Sequence, residues 1–299
     1  AVSRDNWDAV FDERGELRPE VRRRGVAAER WPTLEVQYIG FNMDDPVVGP
    51  NRALRQALAW AFDGEAWSRF HGGRVMRPDS PVPEGIAGYA GLPAGAIGYD
   101  LDRARALLAE AGYPSGLDPR TGRRLQLTLE IADADRPEIR QSTDLFAQFM
   151  DRIGVVIQPS FNNRPTFFQK IARRQAQLFR LSWVADYPDA QNFLQLFYGP
   201  NASPGPNRTN YANAEYDRLY EQMRDLPDGP ERTALCARMA EMVVADAPWL
   251  LIGRPIEVAL RRERLENYRP HAFPYGMEKY WRLGGGGAGG DRSSVAGDR

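Results

Sequence analysis

Leu125-Gln-Leu-Thr-Leu-Glu-Ile131 alternates apolar and polar side chains, the pattern of a half-buried strand. Helical spacing takes over in residues 137–153, where Leu145, Phe146, Phe149, Met150 and Ile153 share one face. Gly154 stops that helix, and Val155-Val-Ile157 begins another strand. Strand, helix and strand in this order make a βαβ unit, so the two strands are parallel with a right-handed crossover. The chain is therefore read as an α/β protein.

The next helix, residues 165–172, returns the chain to Gln177-Leu-Phe-Arg-Leu-Ser182, which reads as the end of a strand. Ser182-Trp-Val-Ala-Asp-Tyr-Pro-Asp-Ala190 follows, and then Asn192-Phe-Leu-Gln-Leu-Phe-Tyr198, a short helix. Two carboxylates, two aromatics and a proline thus gather where a strand stops. Ligands of open α/β sheets dock at such carboxyl ends. An acid among aromatics suits a cationic group in a partly dry slot. The same residues also make good turn chemistry, with Asp capping the next helix and Pro fixing a bend. Both readings stand at this point.

Around this centre, strands are predicted over 34–39, 249–252 and 256–260, the last two separated by Gly253-Arg-Pro255. A helix over 51–62 places Leu54, Ala57, Leu58, Ala61 and Phe62 on one face and is broken by Asp63-Gly64. Asp100 is the N-cap and Gly112 the C′ residue of a helix over 101–111. Two more helices cover 214–223 and 231–244, and residues 1–31 hold one helix at most. Residues 72–98 contain Pro78, Pro81, Pro83 and Pro93; a segment so long is a covering or functional loop. The Gly/Ser tail over 284–299 has no core residues and is expected to be disordered.

Composition narrows the function. The 299 residues suit one large or two ordinary domains. A net charge of −1 points to no general nucleic-acid or membrane-surface partner. The one cysteine, Cys236, gives neither a disulfide framework nor a Cys-based metal site and is expected as a small core residue. No apolar run of about 18 residues occurs. Ala1-Val-Ser-Arg-Asp-Asn-Trp7 has no signal-peptide pattern and no initiator Met, as expected of a mature product or a piece of a longer chain. Phosphate-loop, zinc-protease and serine-hydrolase motifs are missing. His71 and His271 join no nucleophile or acid, and Asp186 with Asp189 is explained more cheaply as a turn than as a hydrolase pair. No enzyme activity, cofactor or metal is expected.

Three further stretches carry a resemblance. Tyr38-Ile-Gly-Phe-Asn-Met43 leading to Asn51-Arg-Ala-Leu-Arg-Gln-Ala-Leu-Ala-Trp-Ala-Phe-Asp63 resembles a signature of the bacterial solute-binding proteins of family 5, the peptide and nickel class. Tyr99-Asp-Leu-Asp-Arg-Ala-Arg-Ala-Leu-Leu-Ala-Glu-Ala-Gly-Tyr113 and Trp183-Val-Ala-Asp-Tyr-Pro-Asp189 resemble its second and third signatures, in family order. The resemblance spans roughly residues 33–283 and corresponds to the later half of a family member, so the chain is expected to be a fragment.

The resemblance implies a periplasmic-binding-protein type II lobe, a mixed sheet flanked by helices, within a two-lobed clamp closing about a hinge. On that analogy residues 1–40 end a first-lobe segment with an N-terminal extension, and 41–252 form the ligand-binding second lobe. Residues 253–283 return to the first lobe, with Gly40 and Gly253 to Pro255 as hinge crossings. It implies the substrate-binding component of an ATP-driven importer, a periplasmic or extracellular monomer that captures peptides and hands them to membrane permease subunits. Asp186 would receive the ligand's α-ammonium group, and main chain at Trp183, Val184 and Ala185 would pair with its backbone. Trp183 and Tyr187 would wall the slot, Arg180 would meet a carboxylate, and Asn42 and Tyr38 could face the cleft. Asn42 could equally bond local backbone, and Asp189 is expected to cap the following helix. Relatives with these motifs also carry sugars, opines, haem or metal chelates, and a truncated remnant that binds nothing is a further alternative.

Overall fold

Residues 7–12, 15–133, 135–269 and 277–284 are described by a computed structural model, in which the chain divides into two compact units. The tail beyond Gly284 and His271 lie outside the described residues.

Residues 1–31 and 257–299 make the smaller unit. It holds α1 (Trp7–Val10), α2 (Pro19–Arg22) and β1 (Val26–Pro32), so the expectation of one helix at most gives way to two short helices and a strand. These helices are single turns, too short for periodicity to register. Glu263 donates its amide to Gly25 O, and Arg261 Nε meets Glu29 Oε1 at 2.8 Å. The strands β8 (Leu265–Glu266) and β9 (Arg282–Leu283) pair antiparallel.

Residues 32–256 make the larger unit. In chain order it contains β2 (Glu35–Phe41), α3 (Arg52–Ala61), α4 (Gly64–Phe70), β3 (Val75–Met76), α5 (Leu101–Glu110), β4 (Gln126–Ala132), α6 (Pro137–Asp151), β5 (Val156–Asn162), α7 (Arg164–Ala172), β6 (Leu178–Val184), α8 (Gln191–Leu194), α9 (Ala214–Arg224) and α10 (Pro230–Asp246). β7 (Trp249–Arg262) starts here. β4 and β5 are parallel from Gln126↔Val156 to Ala132↔Asn162, as the βαβ reading requires. β6 lies parallel to β4 and antiparallel to β2, which is antiparallel in turn to β7. The sheet is therefore mixed, with helices against it. Leu54 and Leu58 of α3 and Phe146 and Phe149 of α6 pack with Leu127, Leu129 and Ile131 of β4 in the main core. Each such side chain contributes roughly 1.5–3 kcal/mol on burial. Cys236 is buried in α10, where desolvation pushes its thiol up to about 11.

Two local expectations are corrected. Asp63-Gly64 ends α3 but also starts α4: Asp63 accepts from Ala66 N at 2.9 Å as its N-cap. The expected strands 249–252 and 256–260 are one strand, β7, unbroken through Gly253-Arg-Pro255. Pro255 cannot donate, but its carbonyl accepts from Thr33 N at 2.8 Å, and β3 pairs alongside at Val75↔Pro255 and Met76↔Arg254. Gly40 is likewise a strand residue: a Cβ there would collide with the Phe179 ring.

Arg55 on α3 is 3 % exposed and gives every donor nitrogen to backbone. Nη1 donates to Val48 O at 2.7 Å and Gly49 O at 2.6 Å; Nη2 donates to Asp246 O at 2.7 Å; Nε is shared between Asp246 O and Ala247 O. Burial pushes this guanidinium down to about 10. Arg55→Leu keeps the apolar stem and strands these carbonyls, each worth about 1–3 kcal/mol when buried unpaired. A urea titration should therefore show a loss of at least about 3 kcal/mol; a midpoint within error of the wild type would contradict this account.

Candidate functional site

β6 has a partner along its whole length on one side only. β2 accompanies it to Glu35↔Val184, whereas pairing with β4 stops at Glu130↔Phe179. From Arg180 to Val184 the edge turned toward β4 has no strand partner among the described residues. A cavity of about 380 Å³ opens at this parting. Ile131, Ala132 and Asp133 line it from the end of β4, and Arg180, Leu181 and Ser182 from β6. Arg136, Ile139, Arg164, Phe167 and Phe168 complete its wall, with Glu35 and Gln37 of β2.

The cavity's charges differ in how far they are satisfied. Arg164 grips Asp133 with Nε at 2.9 Å and Nη2 at 2.8 Å, and this pairing holds the Asp133 carboxyl below its usual range. Glu35 accepts from Gln37 Nε2 at 3.2 Å. Arg180 has only a hydroxyl, Nη1 donating to Ser142 Oγ at 2.7 Å, and the Trp67 ring 5.3 Å from its guanidinium carbon. Burial, and then repulsion from Arg136, pushes Arg180 down to about 10. Neither Arg180 nor Arg136 has an ion-pair partner among the described residues. A half-buried guanidinium repelled by a second one favours an anion between them.

β6 runs two residues further than its sequence pattern suggests, so Trp183 and Val184 belong to the strand. Register separates the predicted residues: Arg180 pairs opposite Ile39 and Trp183 opposite Val36, so they point to opposite faces. Val184 is exposed; Ala185 is buried and donates its amide to Leu34 O at 2.8 Å. Asp186 and Tyr187 are exposed in the following turn.

Asn192, fully buried on α8, organises that turn. Its Oδ1 accepts from the Trp183 indole at 2.8 Å and from the Asp186 amide at 3.1 Å. Its Nδ2 donates to Asp186 Oδ2 at 3.2 Å. Asp186 has no cationic partner among the described residues, so its charge is held by a neutral amide and faces outward. Asp189 accepts from Gln191 N at 2.7 Å and pairs with buried Arg232 at 2.7 Å; it serves the first turn of α8, although Ala190 is the N-cap residue. The 77–100 segment closes over the turn through Ala87, which receives the Ala190 amide at 2.8 Å.

Tyr38 and Asn42 are placed elsewhere. Tyr38 is 1 % exposed, stacked on Trp249 at 3.6 Å, and burial raises its hydroxyl's pKa. Asn42, also buried, donates to Arg174 O at 2.9 Å and accepts from Asn210 Nδ2 at 3.0 Å and from the Asp44 amide, the local bonding its position at a strand end suggests. Their surfaces are already occupied, and neither lines the cavity. Conversely, Asn192, Arg136, Arg164 and Phe168 were not singled out by the sequence. The one available signal was Asn192 opening an apolar helix just after the acid-and-aromatic turn. Among the described residues no group of three or more His, Cys, Asp or Glu is disposed to hold a metal.

The family model for the bacterial extracellular solute-binding proteins, family 5 (middle), matches residues 5–205, and the chain belongs to that family. Heme-binding protein A of Haemophilus influenzae is 27% identical over 247 residues, covering 81% of this chain and 43% of that protein. The structure of HbpA2 from Haemophilus parasuis superposes with a TM-score of 0.78 at 22% identity, over 88% of this chain and 51% of that one. The ABC transporter-associated periplasmic binding protein DppA from Helicobacter pylori, in complex with peptide STSA, gives 0.69 at 20%, over 84% and 47%. The fold is that of type II periplasmic binding proteins, and the chain spans about half the length of the relatives it matches. No helix among the described residues is long and apolar enough to cross a membrane.

Asn192→Leu is close in size and removes both the acceptor and the donor. It leaves the Trp183 indole and the Asp186 amide unpaired, at a cost of about 1–3 kcal/mol. Chemical denaturation should show that loss together with a shifted tryptophan emission; unchanged emission would mean that Asn192 does not hold Trp183.

Proposed function

We propose that this member of solute-binding family 5 captures peptides along the free edge of β6, as the substrate-binding part of an ATP-driven importer. The observation that carries the reading is the stretch from Arg180 to Val184, unpaired on one side and bordered by a cation-rich cavity. An extended peptide added there gains main-chain hydrogen bonds that every peptide can make, giving affinity with little dependence on side chains. Trp183, Val184 and Ala185 supply the backbone for this pairing.

Asp186 receives the ligand's α-ammonium group. Its carboxylate is exposed, fixed by Asn192 and unneutralised, so it can be satisfied by a cation without first releasing one. Tyr187, 40% exposed, and the Trp183 ring flank this end. Arg180, which lacks a carboxylate partner, takes the ligand's carboxylate, with Arg136 strengthening the field. Tyr38, opposite Leu181 in the β2–β6 register, and Asn42, at the end of β2, hold the neighbouring strand in place. The peptide complex of the Helicobacter pylori DppA is consistent with this ligand class. Delivery to membrane permease subunits, and a periplasmic or extracellular site of action, follow from the same reading.

Calorimetry with a panel of di- to pentapeptides tests it on the 299-residue chain. An ion pair on an exposed carboxylate is worth up to about 1 kcal/mol, so N-acetylation of the peptide should weaken binding by about fivefold. Asp186→Asn should reproduce that loss with an unchanged melting temperature. Equal binding of free and acetylated peptides would remove Asp186 from the site, and a large fall in melting temperature would make it a structural turn residue instead.

A further inference from the structure

Away from β6, a second cavity combines apolar walls with an under-used cation. It measures about 390 Å³ and lies between α3, α10 and residues 93–98, within the size range of small-molecule sites. Half-buried Trp60 and Val244, with Ile97 and Leu250, give it apolar surface. Gly98 brings backbone flush against the indole, since a Cβ there would collide with the Trp60 ring.

Its polar lining is led by Arg77. That guanidinium makes only long contacts, Nη1 to Phe62 O at 3.4 Å and Nη2 to Ala59 O at 3.5 Å. Its Nε is buried with no hydrogen-bond partner, and no carboxylate lies within ion-pair reach among the described residues. The side chain is nonetheless held in place: Gly64 makes room for it, a Cβ there falling 2.7 Å from Arg77 Cδ. Arg103 adds a second guanidinium, 3.8 Å from the centre of the Trp60 ring, and Glu241 is the one carboxylate in the lining.

We propose that this cavity binds a small organic monocarboxylate bearing an aryl or alkyl group, with the acid on Arg77 and the apolar part against Trp60 and Val244. A guanidinium matches a carboxylate with two parallel hydrogen bonds, and Arg77 has donors to give. The apolar walls call for a hydrocarbon portion rather than a bare anion. Glu241 offsets one of the two guanidinia, Arg77 and Arg103, and the single net positive charge matches a monocarboxylate rather than a dianion such as a phosphate ester.

The probes are 4-phenylbutyrate and octanoate, with 4-phenylbutyramide as the uncharged control, titrated into the 299-residue chain by calorimetry and followed by thermal shift. Both acids should bind with one-to-one stoichiometry and the amide at least tenfold more weakly. Arg77→Gln should weaken the acids at least tenfold. Val244→Trp fills the cavity from a half-buried helix position while leaving Arg77 intact, and should abolish binding with the circular dichroism spectrum preserved. Asp186→Asn should leave the acids' affinity unchanged. The proposal is overturned if neither acid gives heat or thermal shift, if acid and amide bind alike, or if Val244→Trp binds as the wild type does. Loss of binding in Asp186→Asn would overturn it too, by placing the acids in the peptide site.

Discussion

Carbonyls from two distant parts of the chain converge on the guanidinium of Arg55, and much of the larger unit depends on that convergence. The last turn of a helix leaves carbonyls without intrahelical partners, and α10 ends in Ala247 with a left-handed backbone. Arg55 satisfies that terminus and, with its other nitrogen, the loop at Val48 and Gly49. The chain therefore leaves α10 on a fixed heading and enters β7 two residues later. β7 flanks β2, and β2 sets the register of β6 along all seven of its residues. A charge taken out of water is costly unless its donors are used, and here each of the three nitrogens bonds backbone.

Three other arginines show how the same side chain serves different ends. Arg164 is saturated by a bidentate carboxylate, and Arg232 by Asp189 and Asp228. Arg180 has a hydroxyl and an aromatic ring, neither of which neutralises it. Residual demand, rather than proximity to a motif, separates a cation that builds the fold from one that can still engage a ligand. The two carboxylates of the acid-and-aromatic turn divide in the same way: Asp189 is consumed by Arg232 and the α8 amide, and Asp186 is not.

Much of this was legible in the sequence, and the reasons are local. Alternation in Leu125 to Ile131 and helical spacing in residues 137–153 each arise within one element, so the βαβ unit and its parallel strands could be read directly. The N-cap Asp100 was visible for the same reason. What escaped depends on contacts between distant residues. β7 continues through Pro255 because β3 and Thr33 supply its partners. Gly40 lies under the Phe179 ring, a contact that neither strand shows alone. Trp183 and Asp186 could be named from their motif, but Asn192, which holds both, sits on a single-turn helix with no periodicity to mark it. The parting of β4 from β6 is a property of two strands together and leaves no trace in either alone.

The neutrality of Asn192 has an evolutionary consequence. An amide and a lysine or an aspartate can be separated by a single base change in a codon. A lysine at 192 has no acceptor for the Trp183 indole or the Asp186 amide, and an aspartate would set a second buried carboxylate against Asp186. The single-base neighbours of this codon that carry charge are therefore closed to the position, and the turn keeps its one outward carboxylate only while an uncharged amide stays beneath it.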